Sequence, residues 1–284
     1  MKLITPVECG KLPISISLSD KTMILGSCFA DEIGLKMKNC GFDVCINPFG
    51  TLYNPASIAN ALERLESGRP FSKEDCVQMG AGTGLVCSFS HHTSFARLSE
   101  DEFLENANLE LSRASGFWHV CNKVIITLGT AMVWKHEGAV VSNCLKRPNA
   151  EFSHEMLGIA ECGSLIQKIT DRCGERDVIF TVSPIRHLSQ GTHNNTLSKS
   201  TLLLALDKIA DKAHTAYFPA FEIMNDELRD YRFYAEDLCH PTRTAVEYIW
   251  EKFTEAAVPA SEHSRMAENE KAARRLAHRS IHQI

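Results

Sequence analysis

The chain has 284 residues, a formal net charge of -5, 44% apolar residues and 11 cysteines. A weak acidic balance with no basic stripe argues against a nucleic-acid partner, and no apolar run approaches the ~20 residues of a membrane span. Scattered cysteines in odd number, without a C-x-x-C pair or an N-terminal apolar leader, lead us to expect reduced thiols in a cytoplasmic protein.

In chain order, residues 22–26 (TMILG) read as a buried strand and 30–41 (ADEIGLKMKNCG) as a helix closed near Gly41. Residues 42–47 (FDVCIN) give a second strand. Residues 55–68 give a helix opened by Pro55 and closed by Gly68. A helical pattern at 101–116 precedes the strand KVIITLG at 123–129, and one at 164–175 precedes DVIFTVS at 177–183. The pattern at 197–216 is the most strongly helical. Residues 216–224 read as a fifth strand, which Pro219 confines to an edge or a bulge. After Pro241, Val246, Ile249, Trp250 and Phe253 share one helix face. Strands alternating with helices imply an α/β three-layer sandwich with a mostly parallel five-stranded sheet. We expect one domain over 1–258 and a polar helical tail over 259–284. That tail reads as a solvated helix, with a homo-oligomer contact as the alternative.

In such sheets ligands bind beyond the carboxyl ends of the strands. Four polar stretches fall there: SCFA, NPFGTLYNP, TAMVW and PIRH. Ser27 stands where a strand turns into a helix, so its N–H points toward any developing oxyanion. Its alternative role is an ordinary helix cap. A serine hydroxyl needs a base, and "AEDLCHP" supplies Asp-x-x-His: Asp237 accepts from Nδ1 of His240, which leaves Nε2 free for the proton of Ser27. Cys28 turns about 100° away if the helix continues and reads as a packing residue. Arg186 is a candidate grip for a substrate carboxylate or phosphate, or else a tie between two loops. His187 and the adjacent pair His91 and His92 are candidate pocket residues. Tyr231, Phe233 and Tyr234 are a candidate aromatic wall. No ligand spacing supports a metal, and no cofactor is called for.

These features resemble the SGNH (GDSL-type) hydrolase superfamily, in which a serine after the first strand pairs with a C-terminal D-x-x-H. More closely the chain resembles the GSCFA family, through Gly26–Ala30, NPFGTLYNP, VSNCLKRP, SPIRH and DELRDYRFYAEDLCHP. The resemblance implies a flavodoxin-like fold with Ser27 as nucleophile, His240 as base and Asp237 as its orienter. It also implies an oxyanion hole from the N–H groups of Ser27 and Gly50, with Thr130 where the superfamily has asparagine. Asn54 and Asn143 are the alternative third donors. The expected activity is ester hydrolysis through an acyl-enzyme on a small acyl ester, such as an O-acetylated carbohydrate. An O-acyltransferase would use the same residues. A non-catalytic ligand-binding module on the same fold is the reading from another class.

Overall fold

The structure, a computed structural model, describes residues 4–209 and 213–281. In chain order the elements are β1 (Lys21–Gly26), α1 (Cys28–Asn39), β2 (Asp43–Ile46), α2 (Pro55–Ser67), β3 (Val77–Gln78), β4 (Val86–Cys87) and α3 (Glu100–Val120). There follow β5 (Lys123–Leu128), β6 (Met132–His136), β7 (Ala139–Val141), β8 (Phe152–Met156), α4 (Ile159–Cys173), β9 (Asp177–Val182) and α5 (Gly191–Asp207). The chain continues through β10 (Thr215–Tyr217), the single turn α6 (Ala220–Glu222), α7 (Arg243–Ala257) and α8 (His263–Ile281).

The central sheet has the order β10-β9-β5-β1-β2, and every pairing in it is parallel. Both faces are covered, which is why its long strands are nearly continuous apolar runs. Met23 and Leu25 join the core beneath α2, α3, α4 and α5. Ile24, pointing the opposite way, joins the core beneath α1 and α7. This is the expected three-layer sandwich. The expected face of α7 is also in place: Val246, Ile249, Trp250 and Phe253 are all buried.

Three expected elements differ in extent. The strand at 216–224 stops at Tyr217, and the chain enters α6 and a π-helical turn at Ile223–Leu228, because Pro219 has no N–H to extend a ladder. The strand does lie at the sheet edge. Helix α3 runs past Gly116 to Val120, since one glycine costs a helix only ~1 kcal/mol. Helix α5 starts at Gly191 and ends at Asp207; residues 210–212 of the expected helix lie outside the described residues.

Two small antiparallel sheets, β3-β4 and β7-β6-β8, were not anticipated. Their strands have two to five residues, too short to carry a periodic signal. The tail begins docked: Met266 is buried, and Asn269 Nδ2 donates to the Cys40 carbonyl at 2.9 Å. No helix among the described residues is long and apolar enough to cross a membrane.

Candidate active site

The chain leaves β1 for β2 on one side and later returns to place β5 on the other. The carboxyl ends of β1 and β5 therefore form the topological switch point, where doubly wound sheets bind ligands. Ser27 is at that point. It caps α1 by accepting the Phe29 N–H, and its own N–H donates to Thr127 on β5, to the carbonyl at 3.1 Å and to Oγ1 at 3.0 Å. Ser27 Oγ donates to Ser183 Oγ at 2.9 Å and lies 3.2 Å from Thr127 Oγ1. The residue is fully buried and joins the ends of β1, β5 and β9.

The Asp-x-x-His loop is assembled as a pair. His240 Nδ1 lies 2.5 Å from Asp237 Oδ2. The other oxygen of Asp237 accepts the N–H groups of Cys239 and His240, each at 2.9 Å. Those two N–H groups, and then the imidazole, hold the Asp237 carboxyl down to about 2. The loop is fastened to the segment after β9: the Arg186 N–H donates to the Cys239 carbonyl at 3.1 Å, and Arg186 Nη1 to that of Leu238 at 2.9 Å. A single segment, 183–186, thus holds Ser27 at one end and the histidine loop at the other. Ser27 Oγ and His240 are not hydrogen-bonded to each other.

The expected oxyanion donors are satisfied within the protein. The Ser27 N–H serves Thr127, the Gly50 N–H donates to the Asn47 carbonyl at 2.7 Å, and the Thr130 N–H donates to the Tyr53 carbonyl at 2.8 Å. The Thr130 hydroxyl pairs with Ser198 at 2.9 Å. Asn54 caps α2, and Asn143 accepts the Leu145 N–H at 2.8 Å in its own turn. Arg186 takes the loop-tying role, 5.4 Å over the Tyr234 ring. His92 caps the turn at Thr93–Phe95. His91 is fully buried among Phe49, Phe71, Phe95 and Phe103, where burial pushes its ring down to about 3 and keeps it neutral.

His187 packs edge-on to Tyr53, its Nε2 buried with no partner among the described residues. Burial, then the charges of Lys199 and His240, push this ring down to about 3. Tyr53, Asn54, Thr130 and His187 line a hollow of about 110 Å³. Arg186, Tyr231 and Tyr234 line another of about 220 Å³. Cys28 is half-buried with Sγ 3.6 Å from the Tyr53 hydroxyl. Burial raises its thiol above the ordinary range, so it stays protonated and unactivated.

Two residues at the site were not anticipated. Asn47 accepts the Gly26 N–H at 2.8 Å through Oδ1 and donates to Asp31 at 2.7 Å, with its backbone at φ 40°; asparagine tolerates that conformation. Lys199 is 1% exposed, and its Nζ donates to the carbonyls of Gly129 at 2.6 Å and Ser183 at 2.7 Å. In a helical pattern a lysine reads as solvent-facing, so nothing in the sequence marks it.

Burial lowers the Lys199 ammonium from 10.5 to about 7. Between those values the unfolded chain binds a proton that the folded chain has lost, so this group makes stability rise with pH through the window. Lys199→Met is expected to abolish that increment. Denaturant midpoints measured from pH 6.5 to 10 should show the wild type gaining on the variant as pH rises; a constant gap would contradict the assignment.

The family model described as GSCFA matches residues 21–253, a span that includes Ser27, Asp237 and His240. No curated protein matches the chain, and no solved structure does.

Proposed function

The chain belongs to the GSCFA family, and from that premise and the arrangement at its switch point we propose that it is a serine ester hydrolase of SGNH type. The observation that carries the proposal is the Asp237–His240 pair. It is oriented through Nδ1, with Nε2 bonded to no other described residue, on a loop tied to the segment that holds Ser27. In the reaction Nε2 takes the Ser27 proton as Oγ bonds to the acyl carbon. The proton then passes to the alcohol as its C–O bond breaks. Water attacks the acyl-enzyme, giving its proton to His240, and the acid leaves as Ser27 is reprotonated. For this Ser27 Oγ must exchange Ser183 and Thr127 for His240; catalytic hydrogen bonds often tighten only when substrate is bound.

A fluorophosphonate probe tests the proposal. Labelling should vanish in Ser27→Ala and persist in Cys28→Ala. Labelling retained in Ser27→Ala would sink it.

One observation favours a second reading, a ligand-binding module. The N–H groups of Ser27, Gly50 and Thr130 are all committed to protein acceptors, and losing one oxyanion donor costs about 10²–10³ in rate. The ligand would then lie against Arg186, Tyr231 and Tyr234, and the wild type would resist the probe altogether.

A further inference from the structure

The Ser27 hydroxyl has every hydrogen-bonding position filled. A serine oxygen has one proton to give and two lone pairs that can accept. The proton goes to Ser183 Oγ at 2.9 Å. One lone pair takes the Phe29 N–H at 3.3 Å. The other faces Thr127 Oγ1 at 3.2 Å; that oxygen already accepts the Ser27 N–H, which leaves its own proton for Ser27. Attack on an acyl carbon needs a free lone pair on Oγ and a base within reach of its proton. This rotamer provides neither.

Ser183 is a firm anchor for it. The residue is fully buried. Its N–H donates to the Leu128 carbonyl at 2.8 Å, its Oγ also accepts the Ile185 N–H at 3.3 Å, and its carbonyl accepts Lys199 Nζ at 2.7 Å. The same Nζ donates to the Gly129 carbonyl at 2.6 Å. The buried lysine of α5 thus ties the segment after β9 to the segment after β5. Those are the two segments whose spacing brings Ser183 and Thr127 to Ser27.

We propose that Ser183 is a positioning residue that keeps Ser27 in a resting rotamer, with Lys199 holding Ser183 in place, so that the site restrains itself until an acyl ester is bound. This deepens the ester-hydrolase proposal and rests on it. The restraint is weak enough to be broken in each turnover. The Ser27 proton leaves one acceptor, Ser183 Oγ, for another, His240 Nε2, so the cost is on the order of one net hydrogen bond, about three- to tenfold in rate. Ser183→Ala removes the resting acceptor and leaves the buried proton to find another.

The test is the second-order rate of fluorophosphonate incorporation in the wild type, Ser183→Ala, His240→Ala and the double variant, followed by mass. Ser183→Ala is expected to label Ser27 about three- to tenfold faster than the wild type. The double variant should show no gain over His240→Ala, because the released proton then has no imidazole to reach; a general loosening of the fold would speed both backgrounds alike. Should Ser183→Ala fail to fold, Ser183→Cys carries the same test with a smaller gain, since a thiol is a weak acceptor of similar shape. Equal or slower labelling, or a gain that persists without His240, would overturn the restraint and leave the hydrolase reading standing, because the wild type would still label at Ser27. Labelling of the variant alone would support the restraint. Labelling of neither protein would overturn the hydrolase reading and the restraint with it.

Discussion

His240→Ala is expected to slow fluorophosphonate labelling of Ser27 by about 10⁴–10⁶, the range seen when a triad histidine is removed. The size of the effect follows from what the imidazole does. A serine hydroxyl stays protonated at neutral pH, and the hydrogen-bond partners of Ser27 Oγ among the described residues are hydroxyls and the Phe29 amide. None of these is a base. Two imidazoles at this edge have an Nε2 without a partner among the described residues: that of His187 is buried, whereas that of His240 is on a half-exposed ring whose tautomer is set by Asp237. Asp237→Asn should cost about 10⁴, because an amide can donate to Nδ1 and leave the wrong tautomer. Asp237 remains ionised down to about pH 2, so protonation of this carboxyl should remove no labelling above about pH 3. Labelling of His240→Ala at the wild-type rate would mean that another group activates Ser27 and would end the assignment. The measurement is the second-order rate of probe incorporation, followed by mass.

Gly26→Ala is expected to destabilise the fold by about 3–5 kcal/mol, near the upper end for single substitutions. Gly26 has φ 143°, a region that side chains avoid, and a Cβ placed there would lie 2.2 Å from the Thr127 carbonyl oxygen. That oxygen cannot move aside. It belongs to β5, which pairs with β1 through Gly26 itself, and it accepts the Ser27 N–H. Relief would require prising β1 from β5 where the serine is held, so labelling should fall with stability. Gly116→Ala supplies the control. It lies within α3 with nothing within 4 Å, and should stabilise by about 0.5–1 kcal/mol. Urea denaturation of the pair decides the matter; equal midpoints would show that the β1–β5 approach is not the constraint.

The parts of the site that could be read in advance are those marked by local chemistry. Ser27 follows an apolar run that ends in glycine, and Asp237 and His240 are three residues apart, a spacing that pairs them where the chain turns, as it does before Pro241. Arg186 was legible as a residue of this edge, but its choice between ligand and loop was not. That choice depends on where the carbonyl of Leu238, 52 residues away, comes to rest. The same holds for His91 and His92. Adjacent in sequence, one is sealed in an aromatic cage and the other caps an exposed turn.

By itself the sequence determined the layer architecture, the strands that end at the switch point and the pairing of Asp237 with His240. Each of these is written in periodicity or in spacing over a few residues. Only the tertiary structure decided how those residues are spent: the Ser27 hydroxyl turned toward Ser183, the amides of Gly50 and Thr130 given to nearby carbonyls, and Lys199 driven into the interior to bridge two strand ends. The physical reason is that a buried polar group must find a partner, and which partner is within reach depends on segments far apart in the chain, 156 residues for Ser27 and Ser183.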